Sequence, residues 1–135
     1  MTNIPRHQLP PIKIRQSDSE RLGLLAQAIA STAPLTSEFL ATEIERATVV
    51  PDTDPLPGIV GMESEVTFRD DATGQTKDVV LVYPKAADIA SGRVSVTTPI
   101  GAALIGLCAG QAITFDTPSG EQRSLTVLDV RPAKS

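Results

Sequence analysis

Between residues 51 and 58 the chain reads Pro-Asp-Thr-Asp-Pro-Leu-Pro-Gly, three prolines and two aspartates in eight positions. Each proline fixes its own φ and offers no amide, so neither a helix nor a sheet ladder can run through the segment. The chain on either side folds by different rules. Upstream, apolar residues recur at helical spacing; downstream, they alternate with a period of two. The expected organisation is a lead-in over residues 1–16, a helical unit over 17–48, a stiff linker over 49–58 and a β-rich unit over 59–135.

The lead-in carries Pro5, Pro10 and Pro11 among Arg6, Lys13 and Arg15. It has no apolar centre of the kind a secretory signal needs, and its prolines disallow the amphipathic helix of a transit peptide, so a flexible start to a cytosolic protein is expected. Ser17-Asp18-Ser19-Glu20 has the form of a capping box, Ser17 serving the first free amides and Glu20 reaching back. Leu22, Leu25 and Ile29 follow at helical spacing with Ala26 and Ala33 beside them, and Pro34 closes the run. Thr36 is placed to cap a second helix whose apolar face is Leu40, Ile44 and Ala47, widened by Phe39. Glu38, Glu43, Glu45 and Arg46 are expected on its wet side. Two helices of about a dozen residues joined by a short turn pack antiparallel as a helical hairpin. Helices of that length are marginal alone, so the hairpin must lean on the β-rich unit or on a partner.

Downstream, Val66–Arg69 reads as a strand, and Asp70–Gly74 as a hairpin turn with Gly74 free to take positive φ. Val79–Tyr83 is an apolar run suited to a central strand and is stopped by Pro84. Arg93–Thr97 alternates. Thr98-Pro99 has the form of a cap followed by a first-turn proline, opening a short helix from Ile100 to Gly106. Gly110 turns into Ala112–Phe115, Pro118-Ser119-Gly120 is a second hairpin turn, and Leu125–Val130 is the last strand. The fold class is α+β: a helical hairpin, then a mainly antiparallel β-domain holding one short helix.

The chemistry such a chain can perform is narrow. Twelve Lys and Arg against sixteen Asp and Glu give a charge of −4 and a pI near 4.9, which opposes nonspecific nucleic-acid binding. Hydrophobic residues make up 41% and support a folded core, but aromatics are 3% with no Trp, so the core is aliphatic and stacking platforms are scarce. The single Cys108 excludes an intramolecular disulfide, and one Cys with one His cannot complete a four-ligand zinc site. No apolar run approaches the roughly eighteen residues of a membrane span. His7, the single histidine, sits in the lead-in, which speaks against Ser-His-Asp or Cys–His catalysis. Cys108 reads as a small half-buried thiol.

Gly101 and Gly106 lack the spacing of a nucleotide fingerprint and fit turns and close helix–sheet packing. Asp52, Asp54, Asp70 and Asp71 do not form a calcium loop and read as solvated turns. Glu63 and Glu65 fit an exposed strand face. These residues describe a binding module rather than an enzyme, with no cofactor and no metal.

One stretch is more specific. Val94-Ser95-Val96-Thr97-Thr98-Pro99-Ile100-Gly101-Ala102-Ala103-Leu104-Ile105-Gly106-Leu107, followed by Gly110 and by Pro118-Ser119-Gly120, resembles the carboxy-terminal domain of the bacterial Gre transcript-cleavage factors. Leu81-Val82-Tyr83-Pro84 and the short front end are similar to a smaller branch of those relatives, the regulators of nucleoside diphosphate kinase (Rnk). The resemblance covers residues 59–131 strongly and the hairpin in outline. It implies an FKBP-like β-domain carrying a short coiled coil, and binding to RNA polymerase near its secondary channel through Ser95, Thr97 and Pro99. Gre factors often carry an acid at the position of Thr97, so that contact is expected to differ in kind.

Gre factors also carry a much longer hairpin whose tip sets carboxylates beside the polymerase magnesium. Here the arms are about 18 Å long at 1.5 Å per residue, and the tip, Ser31-Thr32-Ala33-Pro34-Leu35, holds no acid. The expectation is a monomeric, noncatalytic regulator that competes with Gre factors, binds neither a specific DNA sequence nor a membrane, and affects nucleoside diphosphate kinase indirectly. Two alternatives stand beside it. An FKBP-like prolyl isomerase would need more pocket aromatics than Phe68, Tyr83 and Phe115. An oligomerising module would use the Leu22/Leu25/Ile29 and Leu40/Ile44 faces.

Overall fold

The computed structural model describes residues 10–117 and 119–132, so His7 and Pro118 lie outside the described residues. The chain begins with a three-residue strand, β1 (Lys13–Arg15), and enters α1 (Gln16–Ala28) directly. A turn leads to α2 (Pro34–Arg46), and β2 (Thr48–Val50) follows. Strands β1 and β2 pair in parallel, Ile14 opposite Val49, and so close the hairpin at its base. The remaining strands are β3 (Glu65–Asp70), β4 (Thr76–Val82), β5 (Arg93–Ser95), β6 (Ala112–Asp116) and β7 (Gln122–Arg131), with α3 (Pro99–Leu104) between β5 and β6. They form one sheet in the order β5-β4-β3-β7-β6. Every pairing in it is antiparallel except that of β4 with β5. The architecture is α+β with an amino-terminal helical hairpin, as expected.

Several local expectations are corrected. Residues 10–15, expected within a flexible lead-in, are packed: Ile12 and Ile14 are buried core residues, and a Cβ on Gly106, itself at φ +83°, would stand 2.8 Å from the Ile12 Cβ. The capping box does not form. Helix α1 starts one residue earlier than Ser17, with Arg15 at the cap position and no side-chain cap. Instead, the Ser17 amide donates to Asp52 Oδ1 at 2.9 Å, a partner 35 residues away. A carboxylate at a helix amino terminus satisfies a free amide and the helix dipole together.

Likewise Thr36 caps nothing. Pro34 occupies the first turn of α2, Thr36 and Ser37 are buried, and the Ser37 hydroxyl donates to the Ala26 carbonyl at 2.6 Å, joining the two helices. Glu43, expected in water, is 1% exposed. Its carboxylate accepts from Arg46 Nε at 2.8 Å and Nη2 at 2.7 Å, and Arg46 also donates to the Pro10 carbonyl. A carboxylate can be buried only when its charge and lone pairs are met, and this fork meets both.

The segment expected as a stiff spacer also differs. Thr48–Val50 belongs to a sheet, Leu56 is buried with φ of +47°, and Arg15 Nε donates to the Asp54 carbonyl at 2.9 Å. Leu22, Ala26 and Leu40 of the hairpin, Ile12 and Ile14 of the base, and Val66, Leu81, Leu104, Ile113 and Val127 of the β-rich part share one apolar core. The helical stripe considered for oligomerisation is therefore largely occupied by the chain itself: Leu22 and Leu40 are fully buried, and Leu25 and Ile44 pack against them. Tyr83 fastens the other side of α1. Its hydroxyl donates to Asp18 Oδ1 at 2.7 Å, and the Arg21 guanidinium lies 3.9 Å from its ring centroid. Among the described residues, no helix is long and apolar enough to cross a membrane.

Candidate functional site

The Ser95–Pro99 segment links the edge strand β5 to α3, and a dense set of short-range hydrogen bonds fixes its shape. Thr98 is the amino-terminal cap of α3: its hydroxyl accepts from the Gly101 amide at 3.1 Å and donates to the Ser95 carbonyl at 2.7 Å. Pro99 fills the first helical position, where no amide is required. Ser95 is 7% exposed and turned inward. Its hydroxyl lies 2.6 Å from that of Thr97 and accepts the Thr97 amide at 3.0 Å. Of the three residues expected to touch a partner, Thr97 and Pro99 are half-exposed and Ser95 is buried beneath them.

Gly101 is what lets α3 sit so close to β5. A Cβ on it would stand 2.1 Å from the Ser95 carbonyl oxygen, well inside van der Waals contact. The neighbouring Ala102 and Ala103 are fully buried. The small residues of Ile100–Gly106 therefore serve helix–strand packing, as their spacing implied.

Beside this segment opens an apolar groove of about 440 Å³, lined by Val94, Pro99, Ile100 and Phe115, with Ile89 and Ala87 on its rim. Ile89 belongs to a 3-10 turn between β4 and β5 and is 88% exposed. Two arginines stand at the groove, and each is already engaged. Arg93 Nε donates to the Ala86 carbonyl at 3.0 Å, and its Nη2 lies 3.7 Å from Glu63. Arg123 Nη2 donates to Asp70 Oδ2 at 2.6 Å, and this bond chiefly holds the Asp70 carboxyl below the ordinary carboxylate range. The groove thus offers a greasy floor with oriented, locally neutralised polar edges, which suits a protein surface rather than a small anion.

Ile89, Phe115 and Arg123 had not been assigned to a site. They come from three separate parts of the chain, and β6 with Phe115 lies at the far end of the sheet from β5; it is α3, packed on β6, that brings Pro99 and Phe115 to one groove. Phe68 and Phe115 meet in the core, Phe115 reaching the groove, whereas Tyr83 faces α1, so the three aromatics do not line one pocket. The hairpin tip, Ser31–Leu35, is mostly exposed and uncharged, and each arm is 13 residues. Glu38, the carboxylate nearest to it, lies exposed on the first half of α2. Among the described residues, no group of three or more His, Cys, Asp or Glu is placed to hold a metal ion.

Known proteins resemble this chain in both of its parts. Residues 55–132 match the family model described as "Transcription elongation factor, GreA/GreB, C-term", and residues 10–50 match the one described as "Rnk N-terminus". The chain is 32% identical over 121 residues to the "Regulator of nucleoside diphosphate kinase" of Escherichia coli strain K12, covering 90% of this chain and 89% of that protein. It is 43% identical over 68 residues to the "Transcription elongation factor GreA" of Syntrophobacter fumaroxidans, covering 50% of this chain and 43% of the relative. Among solved structures, the "Prokaryotic transcription elongation factor GreA/GreB from Nitrosomonas europaea" superimposes with a TM-score of 0.69 at 32% identity, over 91% of this chain and 99% of the other.

Proposed function

This chain belongs to the GreA/GreB-related family, in the branch that carries the amino-terminal module of the regulators of nucleoside diphosphate kinase, and from that membership we propose that it is a noncatalytic RNA polymerase-binding regulator. In this reading it acts in the cytoplasm, docks as a monomer at the rim of the secondary channel and competes there with Gre factors. Any effect on nucleoside diphosphate kinase is indirect, through expression. Thr97 and Pro99 supply the exposed contacts beside the Ile89–Phe115 groove, and Ser95 holds Thr97 in position.

The observation that carries the proposal is the pairing of a shaped docking segment with a short, uncharged finger. Thirteen residues per arm give a reach of about 20 Å. A tip without a carboxylate has no ligand to offer a second magnesium ion. The body can therefore occupy an entrance while the finger contributes no hydrolytic chemistry.

The test uses stalled transcription complexes to which a Gre factor and increasing amounts of this protein are added. The expected result is loss of Gre-stimulated transcript cleavage with no cleavage by this protein alone. The paired substitution Ser95→Ala and Pro99→Ala is expected to weaken both that inhibition and retention on core polymerase. Cleavage by this protein alone, or equal retention of the wild-type and substituted chains, would overturn the proposal.

A further inference from the structure

Among the described residues the sheet has a second free edge, at the opposite end of the strand order from β5. Strand β6 pairs with β7 alone among the described residues. The hydrogen bonds at the two ends of that ladder fix its phase: Val127 donates to Gln111 at 2.9 Å, and Thr117 donates to Glu121 at 2.8 Å. In an antiparallel pair every second residue is bonded across the ladder, so the odd-numbered residues of β6 face β7. Ala112, Thr114 and Asp116 therefore turn their N–H and C=O groups outward. Their side chains share the face opposite the buried Ile113 and Phe115.

Helix α2 does not close this edge but forms a wall beside it. Between them lies a cleft of about 250 Å³ lined by Leu35, Glu38, Phe39, Thr42, Thr114 and Asp116. Leu35 is 52% exposed. Glu43 borders the cleft but is neutralised by Arg46. Glu38 and Asp116 are different, since neither carboxylate has a hydrogen bond or ion pair among the described residues. The cleft thus joins three features: a row of outward-facing backbone groups, an apolar wall and negative charge with no cation beside it among the described residues.

We propose that the β6 edge and α2 form a docking groove for an extended, basic segment of a partner protein, which joins the sheet as a sixth strand. Backbone pairing with the outward groups of Ala112, Thr114 and Asp116 supplies the affinity. Lys or Arg side chains opposite Glu38 and Asp116 supply the selectivity, and apolar side chains between them meet Leu35 and Phe39. The same two acids disfavour edge-to-edge pairing of two copies, because like charges would be brought together. This groove shares no lining residue with the one beside Pro99, although Phe115 of the same strand points to the latter, so polymerase binding and strand addition can fail independently.

The probe is a synthetic heptapeptide alternating Lys and Val, compared with its Glu-for-Lys counterpart and with a version carrying Pro at the centre. Binding is read by fluorescence anisotropy and mapped by amide hydrogen exchange. The Lys peptide is expected to bind about tenfold more tightly than the Glu peptide and to slow exchange at Ala112, Thr114 and Asp116. The Pro version is expected to lose most of that binding. Thr114→Pro removes an outward amide that the ladder with β7 does not use, so it should leave the fold intact and abolish the protection. Glu38→Lys combined with Asp116→Lys is expected to invert the preference between the two peptides, which keeps the test decisive should Thr114→Pro unfold. Equal binding of all three peptides, protection at residues away from β6, or self-association through this edge in sedimentation would overturn the proposal.

Discussion

At Gly101 a hydrogen atom occupies space that no side chain can share. The Ser95 carbonyl oxygen would lie 2.1 Å from a Cβ there, and it is not free to retreat, because it accepts the Thr98 amide at 3.1 Å and the Thr98 hydroxyl at 2.7 Å. Gly101→Ala is therefore expected to destabilise the protein by about 3 kcal/mol, in the upper range for overpacking, as measured by urea unfolding. It should also move Pro99 and Thr97 and so weaken the polymerase retention proposed above, as measured by pull-down with core polymerase.

This corner was legible beforehand because its parts are neighbours in the chain: Thr98, Pro99 and Gly101 form a local motif. Ser17 shows the opposite case. Its capping box was locally complete, yet the Asp52 carboxylate took the amide from a distance, and nothing local announces that competition. Glu43 misled for the same kind of reason. Its helical position pointed to water, and only the return of the chain through Pro10 toward Arg46 gives a buried ion pair somewhere to form.

Among the elements, α1 is held against the β-rich part by the shared apolar core and by a polar fastening at its rim, the Tyr83 hydroxyl on Asp18 with Arg21 over the ring. Partial burial and then the neighbouring Asp18 carboxylate raise the Tyr83 phenol well above its ordinary value of 10.0. The phenol is neutral in both folded and unfolded chains below that value, and the contribution to stability is complete there. As pH climbs past 10 the unfolded chain ionises first, so stability is lost progressively with rising pH. Since Tyr83 is the single tyrosine and Trp is absent, near-ultraviolet absorbance follows this one group. The folded protein is expected to titrate above pH 10 and the urea-unfolded protein near it. Tyr83→Phe should cost about 1 kcal/mol at neutral pH and flatten the alkaline decline.

The elements themselves were largely visible in the periodicity. The β1–β2 pair was not, because two three-residue strands flanked by prolines carry no periodic signal, and only the folded hairpin brings them side by side.

At the level of the whole molecule, the apolar core runs without interruption from Ile12 and Leu22 through Leu40 to Leu81, Leu104 and Val127. The stretch expected to separate two units instead buries Leu56 and caps α1 through Asp52. Helices of 13 residues have little stability of their own, so they are expected to melt together with the sheet. Far-ultraviolet ellipticity, which follows the helices, and Tyr83 absorbance should report one coincident urea transition. Two separated midpoints would show that the hairpin folds apart.

The parallel pairing of β1 with β2 has a consequence for how such proteins diversify. The strand that enters the hairpin and the strand that leaves it are stitched to each other, so everything between them hangs from a closed collar. Matched insertions at the Ser31–Leu35 turn would lengthen the projection while leaving the collar, and the body beneath it, in place. Length and tip chemistry thus become quantities that can change without refolding the rest, and a plug and a probe can be made on the same mount.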